Sequence, residues 1–245
     1  MPEQLPFTAL LNRLFAGPVD ALLRAVGLPP HYPQAPINNA VAMEFLVLLL
    51  LIVIFLAARA SLSVDRPGAL QHIFEGLHNF VTDQSREIIG HHAEPYTPYL
   101  VALFLFILVC NLIGLVPGFE SPTGANPTVP LGCALVSFFY YHWQGIKKQG
   151  PLHYGAHFAG PLPVLAPLMI PIELISHCAR LLSLTVRLFA NMFAGDLVTL
   201  VFFSLVPIGI PVLFMGLHIF VSFLQAYIFM LLVTVYLQGA VATEH

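Results

Sequence analysis

Apolar residues run almost unbroken from Asn39 to Ala58, with Glu44 near the start as the one charge inside the run. About 20 such residues suffice for one crossing of a bilayer, so the stretch predicts a membrane span. The pattern then changes. Between Pro67 and Gly90, Leu70, Ile73, Phe74, Leu77, Phe80 and Val81 recur at helical spacing among Gln, His, Glu, Asp and Arg, which predicts an amphipathic helix lying along the membrane surface. Continuous apolar character returns over 99–116 and 129–143, two further spans separated by the breaker-rich PGFESPTGANPT. A Gly/Pro/His loop, PLHYGAHFAGPLP, leads into two very long apolar segments, about 165–205 and 211–241, that meet at LVPIGIP. The predicted fold class is an all-α membrane protein with five transmembrane helices and one amphipathic surface helix. Residues 1–38 are expected to form an extracytoplasmic N-terminal segment, and 39–245 a polytopic membrane domain.

The fourth span is too long for an upright crossing. From Ile172 to Leu205 there is no proline and a single glycine, Gly195, so about 34 residues can form a helix roughly 51 Å long at 1.5 Å per residue. Containing it in a hydrocarbon layer about 30 Å thick needs a tilt near ~54°, above the usual range of about 0–40°. The fifth segment is about as long and as poor in charge, and the short connection makes the two antiparallel neighbours. A steeply inclined hairpin is predicted. No internal repeat is evident, which counts against the inverted-repeat transporters.

Composition agrees with the pattern. Hydrophobic residues make up 58% of the 245 and charged residues only 9%, against about 25% charged in soluble domains. Nine Lys and Arg offer no basic footprint for nucleic acid. Arg59 and Arg66 follow the first span, and Lys147 and Lys148 follow the third. The positive-inside rule therefore puts those ends in the cytoplasm, the N-terminus outside and the C-terminus in the cytoplasm. The start, MPEQLPFTALLNRLF, lacks a basic region followed by a long apolar core and is not expected to be a cleaved signal. Cys110, Cys133 and Cys178 stand singly in apolar stretches, as small core residues do. His91, His92, His153 and His157 read as surface residues, and no metal or cofactor is expected.

Between Gln149 and Thr243 four residues carry formal charge, Glu173, Arg180, Arg187 and Asp196, and all lie on the fourth span. Arg187 is near its midpoint, where an arginine costs on the order of 2.5 to 3.5 kcal/mol to insert and is too far from either end to snorkel easily. At 100° per residue Asp196 faces about 180° away, and Glu173, on the same face, is roughly 21 Å distant along the axis. Glu173 can instead engage His177 one turn on, or Arg180 two turns on. The fifth span supplies only the neutral groups His218, Ser222 and Gln225, so the counter-charge for Arg187 is expected on another subunit. Ser183, Ala190, Asn191 and Ala194 share the Arg187 face, a polar stripe of small residues that lets another helix come close. Hydrogen bonding of Arg187 to backbone carbonyls inside a bundle is the plainer alternative. A guanidinium stays charged below pH ~12 and cannot carry a proton. It would act as a gate, driving an approaching carboxylate to ionise and barring direct proton passage.

Groups able to relay protons flank it. Asp196 points to the other face of the fourth span, where the hairpin partner can bring up His218, with Ser222 and Gln225 within about 40° of that histidine. Such groups are expensive at bilayer depth and together read as an aqueous half-channel; Glu173, Ser176 and His177, nearer the opposite end, can line a second. His218 alone reads equally well as a satisfied buried histidine. Gln225, Asn191 and Asn111, taken singly, read as interhelical hydrogen-bond partners.

LSLTVRLFANMFAGDL resembles the signature of the a-subunit family of F-type ATP synthases, the stationary half of a membrane proton path, usually seen with an Arg-Leu-Phe-Gly-Asn-Met core. PIELISH, FILVCNLIGLVPG and LQAYIFMLLVTVYL resemble the family's other recurrent stretches, and the likeness runs from about residue 40 to the end. The resemblance implies that Arg187 faces a ring of c subunits, each supplying an acidic residue. It implies that Asp196, His218 and Gln225, with Asn191, line the path from the outer side, and that Glu173 and Ser176, with His177, lie near the cytoplasmic exit. Arg180, Ser222 and Asn111 are further candidates. The implied partners are the c-ring, peripheral-stalk b subunits, the rest of the ATP synthase complex and the lipid of a bacterial inner membrane. Two positions depart from the pattern: Ala190 stands where glycine is usual. Asp196 replaces the commoner glutamate with a side chain one methylene shorter, so a water can intervene before His218.

The expected function is that of a proton-translocating stator subunit, with two half-channels separated by an essential arginine and coupled to rotation and ATP synthesis. No G-x-x-x-x-G-K-[ST] loop is present, so nucleotide chemistry resides elsewhere and the chain is not itself expected to be catalytic. Asp196 and His218 both titrate, which favours protons over Na⁺. A secondary transporter or redox-pump subunit is the leading alternative, and would need its own counter-ion for Arg187. A haem-binding cytochrome with His177 and His218 as axial ligands is the other.

Overall fold

The structure, a computed structural model, describes residues 4–25, 27, 30, 32–60, 62, 68–90, 93–116, 118–151, 154–155, 166–205 and 209–242. Pro67, Arg66, residue 165 and the four histidines His91, His92, His153 and His157 lie outside the described residues. Helices account for every regular element among those described: α1 (Pro6–Ala25), α2 (Asn39–Ala60), α3 (Ala69–Ile89), α4 (Thr97–Ile113), α5 (Pro122–Ala125), α6 (Thr128–Gln149), α7 (Ala166–Leu205) and α8 (Ile210–Val241). The all-α class follows. α2, α7 and α8 are long and apolar enough to cross a membrane, and α4 is a shorter apolar helix of the same character. At 40 residues, α7 is about 60 Å long, twice the thickness of a hydrocarbon layer of about 30 Å.

Helix ends obey local chemistry. Pro98 opens α4 within its first two positions, where its missing N–H costs nothing. α3 and α6 stop at Gly90 and Gly150, whose φ values of 86° and 83° other residues rarely adopt, and whose N–H groups close onto Arg86 and Ile146 carbonyls.

One core joins five helices, with Cys133 and Ala134 of α6 among its members. Val81 from α3, Leu100, Phe104 and Ile107 from α4, Leu188 and Met192 from α7, and Phe229, Met230 and Val233 from α8 pack into a single buried cluster. α3 is thus anchored on one face: Phe80 lies against Phe104, Phe223 and Tyr227, and Tyr227 Oη donates to Gln84 Oε1 at 2.7 Å. Elsewhere the helices turn leucine, valine and phenylalanine outward, as lipid-facing surfaces do; Leu200 and Leu213 are 70% and 75% exposed.

One feature adds to the sequence expectations and one differs from them. Residues 1–38, for which no secondary structure is predicted, contain a 20-residue helix, α1, with Pro18 inside it. Asn12 holds it in place, its side chain accepting from Ile37 N and donating to Ile37 O, both at 3.0 Å. Cys178, expected in the core, is exposed, whereas Cys110 and Cys133 are buried. The reason is rotational: the neighbouring His177 takes the inward position on α7, and a 100° step turns Cys178 out.

Candidate functional site

The site is built on the α7–α8 hairpin. Leu184, Leu188 and Met192, at helical spacing, are the buried stripe of α7 and seat it against Ala226, Phe229 and Met230 of α8. That setting decides where every polar residue of α7 points.

Toward the C-terminal end of α7, Asp196 faces α8, and its Oδ1 lies 3.7 Å from His218 Nε2. Gly195 permits the approach, since a Cβ there would stand 2.8 Å from His218 Nδ1. On the opposite flank α5 closes in: a Cβ on Gly124 would meet Asp196 Oδ2 at 2.6 Å. One turn beyond His218, Ser222 is fully buried, its hydroxyl turned toward Met192 Sδ at 3.9 Å, and its carbonyl accepts from Asn111 Nδ2 at 3.3 Å. Asn111 Oδ1 in turn accepts from Thr123 Oγ1 at 2.7 Å, and Thr123 pairs with Ser121, which donates to the Cys110 carbonyl. Asp196, His218, Ser222, Asn111 and Thr123 therefore form one polar cluster drawn from α4, α5, α7 and α8. Gln225 continues it toward the middle of α7, accepting from Asn191 Nδ2 at 2.7 Å.

Near the other end of α7, Glu173 Oε1 lies 3.4 Å from His177 Nε2, and His177 Nδ1 is 2.9 Å from the Tyr141 hydroxyl of α6. Ser176 is half-buried beside them. The His142 ring stands 4.8 Å from that of His177, and His142 Nδ1 is 2.6 Å from Tyr154 Oη. Burial pushes the Tyr154 phenol up to about 12, so its hydroxyl keeps its proton at physiological pH. Of the two partners open to Glu173, the structure shows His177. Arg180 instead lays its guanidinium over the Tyr236 ring of α8, 5.2 Å from the centroid.

Arg187 lies between the two clusters. Its Nη2 donates to Ser183 Oγ at 3.3 Å, one turn back, and among the described residues no carboxylate lies within 4.0 Å of it. Ser183, Ala190, Asn191 and Ala194 are exposed along the same face. The small-residue stripe is thus open to a neighbour.

Several contributors escape sequence reasoning. Tyr141 and Tyr236 sit in apolar helices with nothing local to mark them. α5 was legible only as a Ser-Pro start inside a breaker-rich loop, the Pro at the first helical turn being the available signal. Gly195, the one glycine in α7, was the stronger hint, because an interior helical glycine costs about 1 kcal/mol and marks a close approach.

The sequence model of the ATP synthase A chain family matches residues 41–238. The chain is 59% identical over 245 residues to ATP synthase subunit a of Koribacter versatilis (strain Ellin345), covering all of both chains. It is 54% identical over 236 residues to ATP synthase subunit a of Solibacter usitatus (strain Ellin6076), covering 96% of this chain and 100% of that one. Against ATP synthase subunit a of Helicobacter pylori (strain P12) it is 42% identical over 202 residues, 82% of this chain and 89% of the relative.

Proposed function

The chain belongs to the ATP synthase A chain family, a multi-pass membrane component of the ATP synthase complex, and from that premise we propose that it is the proton-conducting stator of the rotary motor. Five helices, α2, α4, α6, α7 and α8, cross the membrane, with the N-terminus outside and the C-terminus in the cytoplasm. The outer half-channel is the Asp196, His218, Ser222, Asn111 and Gln225 cluster. The cytoplasmic half-channel is the Glu173, Ser176 and His177 cluster.

A proton arriving from outside passes Asp196 and His218 and neutralises a carboxylate on the c-ring. The neutral carboxylate can then turn into lipid, where an ionised one is barred by its desolvation cost. After a revolution it meets the Glu173 side and gives up its proton, because the fixed charge of Arg187 favours the ionised form. Arg187 also separates the two clusters, about 14 Å from Asp196 and roughly 21 Å from Glu173 along the helix axis. Each charge crossing gains about 2.3 kcal/mol per 100 mV of potential, the energy that turns the ring. Peripheral-stalk b subunits hold the chain still against that torque.

One observation carries the reading: the Arg187 guanidinium, on an exposed small-residue stripe, has no carboxylate of its own chain within 4.0 Å among the described residues. The test is ATP-driven proton pumping in inverted membrane vesicles carrying Arg187→Lys or Arg187→Ala. Both variants are expected to lose coupled pumping; normal coupled pumping in both would remove the central role assigned to this residue.

A further inference from the structure

Two partners approach His177 from different helices, and they hold it unequally. Glu173, one turn back on α7, brings Oε1 to 3.4 Å from Nε2, while Tyr141 of α6 brings its hydroxyl to 2.9 Å from Nδ1. The first distance is long for a hydrogen bond and the second is ordinary. The partners also differ in freedom. The Glu173 side chain is 36% exposed, whereas Tyr141 is 2% exposed and packs in one buried cluster with Tyr96, Leu237 and Ala240. Tyr141 rather than Glu173 therefore sets where the ring points. Phe138 stands edge-on to that ring at 6.4 Å, and the ring of His142, whose Nδ1 is 2.6 Å from Tyr154 Oη, lies 4.8 Å away.

The chemistry of the two partners also fixes the hydrogen. An ionised carboxylate accepts and does not donate, so the nitrogen facing Glu173 must carry the hydrogen if their contact is to be favourable. A neutral imidazole has a single N–H; with it on Nε2, Nδ1 is a bare acceptor and needs a donor. The Tyr141 hydroxyl is that donor. When the ring gains a second proton, Nδ1 becomes a donor in turn, and the same hydroxyl rotates its hydrogen away and accepts. One oxygen thus serves both charge states of the ring, and a proton carrier passes through both in every transfer.

We propose that Tyr141 is a positioning residue of the cytoplasmic half-channel: it holds His177 with Nε2–H aimed at Glu173, and keeps the ring partnered when it is charged. The inference rests on the proton-path reading above, in which His177 handles protons, and its tests separate the two.

The first test is ATP-driven pumping in inverted vesicles, where protons enter from the cytoplasmic side, with rates normalised to assembled complex. Tyr141→Phe removes one oxygen and keeps the ring that packs. Pumping should fall about fivefold, the worth of one hydrogen bond. His177→Leu should lower it at least as far, and Tyr141→Phe added to His177→Leu should lower it no further. A merely structural tyrosine would cost the same in both backgrounds.

The second test reads the ring itself. In ¹⁵N-histidine-labelled complex at about pH 8, where an ordinary imidazole is neutral, the signal lost in His177→Leu identifies His177. In the parent it should report a hydrogen on Nε2 and a bare, hydrogen-bonded Nδ1; in Tyr141→Phe it should divide between the two tautomers.

A bare Nε2 in the parent, a Tyr141→Phe signal identical to the parent's, or a further fivefold loss in the double variant overturns the positioning role. Parent-rate pumping in Tyr141→Phe does the same and leaves the proton path standing. Parent-rate pumping in His177→Leu removes His177 from the path, and this inference falls with it.

Discussion

His218 Nε2 lies 3.7 Å from Asp196 Oδ1 across the α7–α8 hairpin, and the residue that allows this is Gly195, the immediate neighbour of the aspartate. The distance exceeds a direct hydrogen bond, and a small rotation of either side chain closes it. It is also short of what a water standing between the two atoms needs. The pair is asymmetric: the His218 side chain is 3% exposed and that of Asp196 41%. The carboxylate is thus the more open of the two groups and the imidazole the more enclosed.

Gly195→Ala tests whether this placement matters. The new methyl would stand 2.8 Å from His218 Nδ1 and 3.1 Å from Cε1, so the ring must move. A displacement near 1 Å at a reacting centre can cost about 100-fold, and ATP-driven proton pumping should fall by at least about tenfold, with the complex still assembled. Pumping at the parent rate would mean that the imidazole position is not needed.

Asn191 and Gln225 form a pair that a double-mutant cycle can resolve. Gln225 is 2% exposed, and among the described residues its Oε1 accepts from Asn191 while its Nε2 has no hydrogen-bond partner. Asn191→Ala leaves a second buried polar atom unsatisfied and should destabilise the purified protein by about 1–3 kcal/mol. Gln225→Leu should cost less, because both ends of the bond are then dispensable, and the coupling should come to about 0.5–1.5 kcal/mol in thermal unfolding. Additive effects would mean that the bond is absent in solution.

Much of this arrangement was legible because helical geometry is rigid. A separation of nine positions places Arg187 and Asp196 on opposite faces whatever surrounds the helix, and a short connection forces α8 back alongside α7. The approach of Asp196 to His218 and the absence of an anion near Arg187 among the described residues follow from those two facts. What could not be read depends on how helices cross. Arg180 chose Tyr236 over Glu173 because α8 brings an aromatic face within reach, a property of packing rather than of spacing. α1 hid behind Gly17 and Pro18, and the short α5 carries no hydrophobic period at all.

The two arginines of α7 should therefore behave differently. Arg180 lies over Tyr236 inside its own chain, an interaction worth about 0.5–2 kcal/mol. Arg180→Ala should lower stability by about that amount while retaining most coupled pumping, and Tyr236→Leu should produce a similar, non-additive loss. Arg187→Ala should do the reverse, leaving stability nearly unchanged and abolishing coupling. Thermal unfolding and pumping measured on the same preparations decide it; loss of coupling in Arg180→Ala with unchanged stability would assign Arg180 to the gate.

Gly124→Ala probes Asp196 from its other side. The added methyl would lie 2.6 Å from Asp196 Oδ2 and 3.3 Å from the Met192 carbonyl carbon. The carboxylate can swing away, but the backbone contact cannot, so α5 must also shift by a few tenths of an ångström. Overpacking of this kind typically costs about 1–3 kcal/mol. The functional cost should be larger, because the swing takes Asp196 Oδ1 off its line to His218 Nε2. Gly132→Ala is the control: a Cβ there meets nothing within 4 Å in this chain. Proton pumping should drop several-fold in Gly124→Ala and stay at the parent rate in Gly132→Ala. Equal rates in both would show that Asp196 tolerates displacement and that the geometry around it is not what sets proton uptake.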